Sequence, residues 1–226
     1  LCGTMHAAKE VGGDYYDFLP LGRSPAGHVD AWGPWMFIIA DASGHGPSAA
    51  VVTAMLHAIL HTWVWKDMRP DMILEFLNTK LFHRRIGNSF VTAFVAVYDP
   101  ATRKLQYANA GHPPPIIKGT HDGAVLAFLD DVGGRPLGIT SEVGTEVGTV
   151  ELAFGQTLVL YTDGIVDARD PLGVEFGHQR IATSLADCNG LPDCVIESVT
   201  KSLQAHEAGR RPRDDQTLVA VYVKHA

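Results

Sequence analysis

Hydrophobic and polar positions divide the chain into stretches of two different periods. Phe37 to Ala40 is an uninterrupted apolar run that stops at Asp41, and it reads as a buried strand. Gly44 and Gly46 then allow a tight turn, and Pro47 suits the first position of a helix. The next residues, Ala49 to Leu60, are apolar nearly all round, which predicts a helix buried on more than one side. A second helix is predicted from about Pro70 to Arg85, with Ile73, Phe76, Leu77 and Leu81 as its inward stripe, basic residues in its last turn and Gly87 beyond it. Together these helices read as one covering layer.

The other segments carry mostly the period of strands. Val11 to Phe18 joins a glycine pair to an aromatic, β-favouring stretch, with a bulge expected at the glycines. Asp14 and Asp17 within it are three apart, so an extended strand sends them to opposite faces. Asp14 is therefore the candidate to share a site with Asp41, and Asp17 reads as a solvated position. Leu21 to Pro34 reads as the loop of a wide hairpin leading back into the strand that ends at Asp41. Phe90 to Tyr98, a turn at Asp99-Pro100 and Lys104 to Asn109 form a second hairpin. It is followed by the rigid corner Asn109-Ala110-Gly111-His112-Pro113-Pro114-Pro115, where turn hydrogen bonding is the plain role for Asn109 and His112.

Further strands are expected at Ala124 to Leu129, Thr149 to Ala153 and Thr157 to Tyr161, the last ending in Asp163-Gly164 much as Asp41 ends its own strand. Helices follow near Gly177 to Ala186 and from Pro192 to Glu207, the latter with Val195, Ile196, Val199 and Leu203 on one face. The pair Asp214-Asp215 precedes a final strand.

Composition narrows the function classes. The chain has 226 residues, 46% of them hydrophobic, enough for one large domain with a substantial core, and no stretch resembles a linker or repeat. Residues 1–226 read as a single domain. The balance of 18 Lys+Arg against 25 Asp+Glu gives a net charge of −7 without a basic block, so nucleic acid is not an expected partner. No apolar run approaches the roughly 18 residues needed to cross a bilayer, and Leu1 to Glu10 lack the plan of a signal peptide. A soluble, cytoplasmic domain without membrane contact is the expectation. Three cysteines without a Cys-x-x-Cys pair suggest neither a disulfide framework nor a zinc knuckle, and Cys188 and Cys194 read as reduced thiols. No Walker loop, His-Glu-x-x-His or Gly-x-Ser-x-Gly occurs, nor the cysteine–arginine spacing of a thiol phosphatase. His57 and His61 are one helical turn apart, but with no acid or cysteine beside them in the chain they read as core or boundary histidines.

Four acids share one setting. Asp14, Asp41, Asp163 and Asp214 each lie next to a strand, at or beside a glycine-containing or charged turn. Such carboxylates are either turn and capping residues or a hard oxygen site suited to Mg²⁺ or Mn²⁺. Two such ions about 4 Å apart can clamp a phosphoryl group and activate water. The spacing alone leaves both readings open.

Six blocks in order bear on the choice: Gly12-Gly13-Asp14-Tyr15-Tyr16-Asp17-Phe18, Asp41-Ala42-Ser43-Gly44-His45-Gly46, Asn109-Ala110-Gly111-His112-Pro113-Pro114, Pro136-Leu137-Gly138, Tyr161-Thr162-Asp163-Gly164 and Asp214-Asp215-Gln216-Thr217. This series resembles the PPM metal-dependent serine/threonine phosphatases, in the bacterial branch of stage II sporulation protein E and the RsbU-type phosphatases. The resemblance runs from about Ala8 to Val223.

It implies an α+β fold, a central β-sandwich of two mainly antiparallel sheets flanked by helical layers, with two Mn²⁺ or Mg²⁺ ions. By the family pattern Asp41 bridges both ions, the Ala42 carbonyl adds a backbone ligand, and Asp14, Asp163 and Asp214 complete the protein's share. An activated water attacks phosphorus without a covalent phospho-enzyme. The implied substrate is phosphoserine or phosphothreonine on an anti-anti-sigma-type protein. Members of the branch also carry upstream sensor domains and dimerise through preceding helices, so a catalytic part of a longer chain and a homodimer are further expectations.

Departures and rivals bound this reading. Where eukaryotic relatives hold phosphate with an arginine, this chain has Lys9, a candidate phosphate contact or a solvated strand residue. His45 is a candidate general acid toward the leaving oxygen, although two extra residues separate it from Asp41 relative to those relatives. Arg213, with Arg210 and Arg211, either steers an acidic substrate or forms a solvated loop. The rival function is a catalytically inactive phosphoprotein-binding domain of the same fold, against which the complete set of four acids stands. A nucleotide cyclase, suggested by Gly12-Gly13-Asp14, leaves the other five blocks unexplained.

Overall fold

The run that ends at Asp41 is a strand paired on both sides. In the computed structural model, which describes residues 2–6, 12–22, 33–44, 46–62, 69–84, 89–119 and 125–224, Trp35–Ala42 (β3) lies between Asp14–Pro20 (β2) and Val91–Asp99 (β4), antiparallel to each. Cys2–His6 (β1) precedes β2. After β3 come the helices Pro47–Thr62 (α1) and Pro70–Arg84 (α2), then β4, Lys104–Ala110 (β5), Ile116–Lys118 (β6), Val125–Phe128 (β7), Gly148–Glu151 (β8) and Thr157–Tyr161 (β9). The single-turn helix Asp163–Val166 (α3), Gly177–Ser184 (α4), Pro192–Glu207 (α5) and the strand Gln216–Tyr222 (β10) complete the chain. The chain forms two compact units, each assembled from separated segments.

The first unit comprises Gly13–His112 and Asp131–Glu151. Its five-stranded sheet has the order β2-β3-β4-β5-β8, antiparallel throughout. Helix α1 contributes Ala49, Val52, Leu56 and Leu60 to the core, and α2 contributes Ile73, Leu74, Leu77 and Leu81, both packing with Met36, Ile38, Ala40, Val95 and Ala108 of the sheet. These are the i, i+3, i+4 stripes of amphipathic helices. The expected burial of α1 on more than one side does not hold: Val51 is 52% exposed, and Ala54 and Ala58 on the same side are exposed too. Small and β-branched apolar residues on that face look like core in a periodicity plot, yet among the described residues of this unit they are left exposed.

One polar side chain ties α2 to the loop before β8. Asn78, buried within α2, donates to the carbonyls of Thr140 (3.1 Å) and Ser141 (3.2 Å) and accepts from the Gly138 N–H (2.8 Å). Glu75, one turn earlier, accepts from the N–H groups of Val143 and Gly144. Leu137 completes the anchoring by exchanging two backbone hydrogen bonds with Val91 (3.0 and 2.7 Å). The block Pro136-Leu137-Gly138 is thus held by a helix and a strand edge.

The second unit comprises Leu1–Gly12, Pro113–Asp130 and Leu152–Ala226. Its sheet has the order β1-β10-β9-β6-β7, again all antiparallel. Val195, Val199 and Leu203 of α5 and Ile181 of α4 pack with Val159, Tyr161, Leu218 and Ala220 of the sheet. Helix α5 has the predicted bounds, because Pro192 occupies its first turn and Ala208 and Gly209 turn left-handed at its end. Cys188 and Cys194 are free thiols. Three elements depart from the expected order. Strands β1 and β6 and the helix α3 have no local pattern, since the strands are recruited by neighbours and α3 is a single turn.

The bonds of Asn78 yield a prediction. Asn78→Ala removes three hydrogen bonds at a buried position, so unfolding free energy should fall by about 1–3 kcal/mol, with the midpoint of a urea titration moving down accordingly.

Candidate active site

Strand register in the first unit sets two of the four acids against each other. Asp14 at the start of β2 is the Cα partner of Asp41 on β3. Asp14 is buried, 6% exposed, and Asp41 is half-buried. Between them the backbone is cleared by glycine: a Cβ on Gly13 would lie 2.7 Å from the Ala42 carbonyl oxygen and 3.4 Å from Asp41 Oδ1. The Gly13 carbonyl accepts the Ala42 N–H at 3.0 Å, so the two segments are stitched where the space is tightest.

The turn after Asp41 is locked in the same way. Ser43 donates its N–H to the Phe90 carbonyl (2.8 Å), and its hydroxyl accepts the Phe90 N–H (2.9 Å). Gly44 (φ 92°) and Gly46 (φ 77°) take left-handed backbone there, as the turn reading requires, and Pro47 opens α1. Asn109 and His112 make the expected corner: the Asn109 amide donates to the His112 carbonyl (2.9 Å) and its oxygen accepts the His112 N–H (2.7 Å). Gly111 permits a close approach there, because a Cβ would fall 2.9 Å from the Pro136 ring.

The other two acids belong to the second unit. Asp163 is the first residue of α3, half-buried, and Asp214 is exposed just ahead of β10. Burial pushes the Asp163 carboxyl above its ordinary value, and the negative charges of Asp214 and Asp167 push it further, against the backbone N–H bonds it accepts. Asp163 therefore sits in a field of like charge that a cation would relieve. The blocks carrying these acids interlock. Thr162 donates its N–H to the Thr217 carbonyl (3.1 Å) and accepts the Thr217 N–H on its hydroxyl (3.0 Å). At Gly164 a Cβ would lie 1.9 Å from the Asp215 carbonyl oxygen, so no larger residue fits. Of the acidic pair, Asp215 is the buried member at 4% exposed, while Asp214 faces outward and accepts the Asp215 N–H (2.9 Å).

Beside Asp214 the second unit has a cleft of about 310 Å³. Arg213, Arg211, Arg210 and Arg169 line it together with Asp167 and Asp214. Arg210 is committed to the carbonyls of Asp170 (3.2 Å) and Pro171 (3.1 Å), and Arg169 pairs with Glu175 (2.6 Å). Arg211 and Arg213 are exposed at its rim. Lys9 and His45, the other two candidates, lie outside the described residues.

Two local readings of the first unit need correction. Asp17 is not simply solvated; its carboxylate accepts hydrogen bonds from the Tyr15 hydroxyl (2.6 Å) and from His61 Nε2 (2.6 Å). His57 and His61 are not core residues either, with side chains 59% and 45% exposed, and the acid missing beside them in the chain is Asp17 on the neighbouring strand. A partner 44 residues away leaves no local trace. The same holds for Asn78 and Glu75, which sequence reading passed over.

Within each unit the acids offer oxygen donors alone, the kind that hard divalent ions take: Asp14 and Asp41 with the Ala42 carbonyl in the first, and Asp163 with Asp214 in the second. The sequence profile of the stage II sporulation protein E (SpoIIE) family matches residues 32–224. The chain belongs to the SpoIIE family. Among curated relatives it is 24% identical over 97% of its length to the phosphoserine phosphatase RsbP of Bacillus subtilis, covering 51% of that protein. It is 28% identical over 74% of its length to the phosphoserine phosphatase RsbU of the same organism, covering 46% of it. The chain spans about half or less of the length of the curated relatives it matches. Among solved structures, the SiaA-PP2C domain of Pseudomonas aeruginosa superposes with a TM-score of 0.78 at 24% identity, over 99% of this chain and 85% of that one. The fold is the α+β fold of the PPM class, as the SpoIIE-type motifs imply.

The glycine at 164 can be tested directly. Gly164→Ala drives a methyl into the Asp215 carbonyl and should cost about 3 kcal/mol or more in denaturant unfolding. Gly133→Ala, whose Cβ meets nothing within 4 Å, should change stability by less than about 0.5 kcal/mol in the same measurement.

Proposed function

We propose that this SpoIIE-family chain is a Mn²⁺- or Mg²⁺-dependent protein serine/threonine phosphatase, with residues 1–226 as one phosphatase domain. The observation that carries the reading is the pairing of Asp14 with Asp41 across β2 and β3 beside a glycine-cleared Ala42 carbonyl. Its relatives RsbP and RsbU are phosphoserine phosphatases, which supports phosphoserine as the substrate class. In this reading Asp14, Asp41, the Ala42 carbonyl, Asp163 and Asp214 are the protein ligands of two ions. Such ions, when bound, supply Lewis-acid polarisation of the phosphoryl group and acidify water for attack on phosphorus.

The chain's own residues do the positioning. Asp41 projects from a strand bonded on both sides, so its carboxylate has little freedom to recoil. Asp14 approaches it across a glycine, and Asp163 is fixed by the Thr162–Thr217 bonds behind it. Arg213 and Arg211, at the rim of the cleft beside Asp214, supply positive charge that draws a phosphorylated, acidic protein toward the acids. A phosphorylated regulatory protein of the anti-anti-sigma type, in the cytoplasm, is the substrate this reading assigns. Among the described residues no helix is long and apolar enough to cross a membrane.

Hydrolysis of a phosphoserine peptide tests the reading. Turnover should require Mn²⁺ or Mg²⁺, stop with chelator, and fall to the chelated baseline in Asp41→Asn. Turnover that survives chelation, or a fully active Asp41→Asn, overturns the ligand assignment; a folded, metal-loaded protein inert toward every phosphoprotein supplied would make it a binding module. Arg213→Glu should raise KM for an acidic phosphoprotein and steepen neither chemistry nor metal dependence, as expected of a residue that steers.

A further inference from the structure

Outside the paired acids, the first unit builds a second constellation on the opposite face of β2. Among the described residues, Asp17, His57 and His61 bring three donor atoms, Asp17 Oδ2, His57 Nδ1 and His61 Nε2, within 4.8 Å of one another. The histidines lie at successive turns of α1, ring centroids 4.2 Å apart and tilted by 39°, and the carboxylate reaches them from the strand. Asp17 Oδ2 is 2.6 Å from His61 Nε2 and 3.7 Å from His57 Nδ1. Tyr15 holds the same oxygen from the other side at 2.6 Å, and its hydroxyl is also 3.3 Å from His57 Nδ1.

We propose that Asp17, His57 and His61 form a transition-metal site, for an ion of the zinc class, that clamps helix α1 onto strand β2. Three features of the geometry carry this. The donors are two imidazoles and a carboxylate, a mixed nitrogen–oxygen set that favours Zn²⁺ and its late first-row neighbours over Mg²⁺. Bonds of about 2.0–2.2 Å imply tetrahedral ligand separations of roughly 3.3–3.6 Å; the Asp17 carboxylate stands 2.6 and 3.7 Å from the two histidines and all three donors lie within 4.8 Å, so side-chain rotations can admit an ion. The site is open, since both histidine side chains are about half exposed, and it has an orienting partner already in place in Tyr15.

Coordination replaces the hydrogen bond now joining His61 to Asp17. Neutral His61 keeps its proton by moving it to Nδ1, and cationic His61 releases it to solvent, while the ion gives up water for each ligand gained. Burial pushes the Asp17 carboxyl up, but the hydrogen bonds from Tyr15, His61 and the Phe18 N–H outweigh it and hold the group below its ordinary value. The carboxylate is thus ready as an anionic ligand at neutral pH.

The consequence is regulatory. Helix α1 starts at Pro47, directly after the turn that carries Asp41 and Ala42, and β2 starts with Asp14. An ion joining these two elements constrains the segments on which two of the proposed ligands ride. The site is independent of the phosphatase reading, because its donors are different residues and its test needs no substrate.

Tag-free protein titrated with Zn²⁺ by calorimetry, in saturating Mg²⁺ and in an Asp41→Asn background, should bind one equivalent. The double variant His57→Gln, His61→Gln should lose that binding, and Tyr15→Phe should weaken it by about 10–100-fold, the usual effect of removing a residue that orients a ligand. Co²⁺ in the unaltered protein supplies a readout independent of any variant: paramagnetically shifted imidazole signals are expected. Zinc binding unchanged in the double variant, no saturable binding, or a purely oxygen-ligated Co²⁺ spectrum would overturn the proposal.

Discussion

Like charge held at close quarters is the constraint on which the candidate site depends. Two carboxylates directly opposite on neighbouring strands repel, and a free hairpin would relieve them by slipping or fraying. Here the hairpin cannot yield, because β3 is bonded along its whole length to β4 as well as to β2. Gly13 removes the last side chain that could prop the acids apart. The second unit repeats the theme with Asp163 beside Asp214, where burial first and the charges of Asp214 and Asp167 second push the Asp163 carboxyl above its ordinary value. In both places backbone hydrogen bonds carry the strain, and a divalent cation is the natural counterweight.

How much of this could be read from the chain depends on how local the encoding is. Helix α5 and the β4–β5 hairpin were legible almost to the residue, because Pro192, the left-handed Ala208-Gly209 stop and the Asp99-Pro100 turn mark their own boundaries. The four acids were legible because each sits in a short block with its own glycine or turn. What was illegible is what distant segments do to one another. Strand β1 exists only by pairing with β10, and β6 is three residues that gain meaning from β9 and β7. The exposed side of α1 misleads for the opposite reason: its residues are apolar, and only the packing says which stripe is used.

One strand carries both of the proposed sites because its parity is two. Asp14 and Asp17 lie three positions apart on β2, so one faces Asp41 and the other faces α1. On the first side the neighbours are oxygens, and on the second they are imidazoles. The difference in donor chemistry at β2 follows from that alternation, since β3 supplies Asp41 on one side and α1 supplies His57 and His61 on the other.

The pairing of β1 with β10 has a consequence in time. Cys2 is matched to Ala220 and His6 to Gln216, so β1 is made long before the strand it pairs with. During vectorial synthesis the β1–β10 ladder cannot form until β10 has been made. Contacts between neighbours such as α4 and α5 need little loop closure, whereas this ladder joins segments about 210 residues apart, which slows its closing.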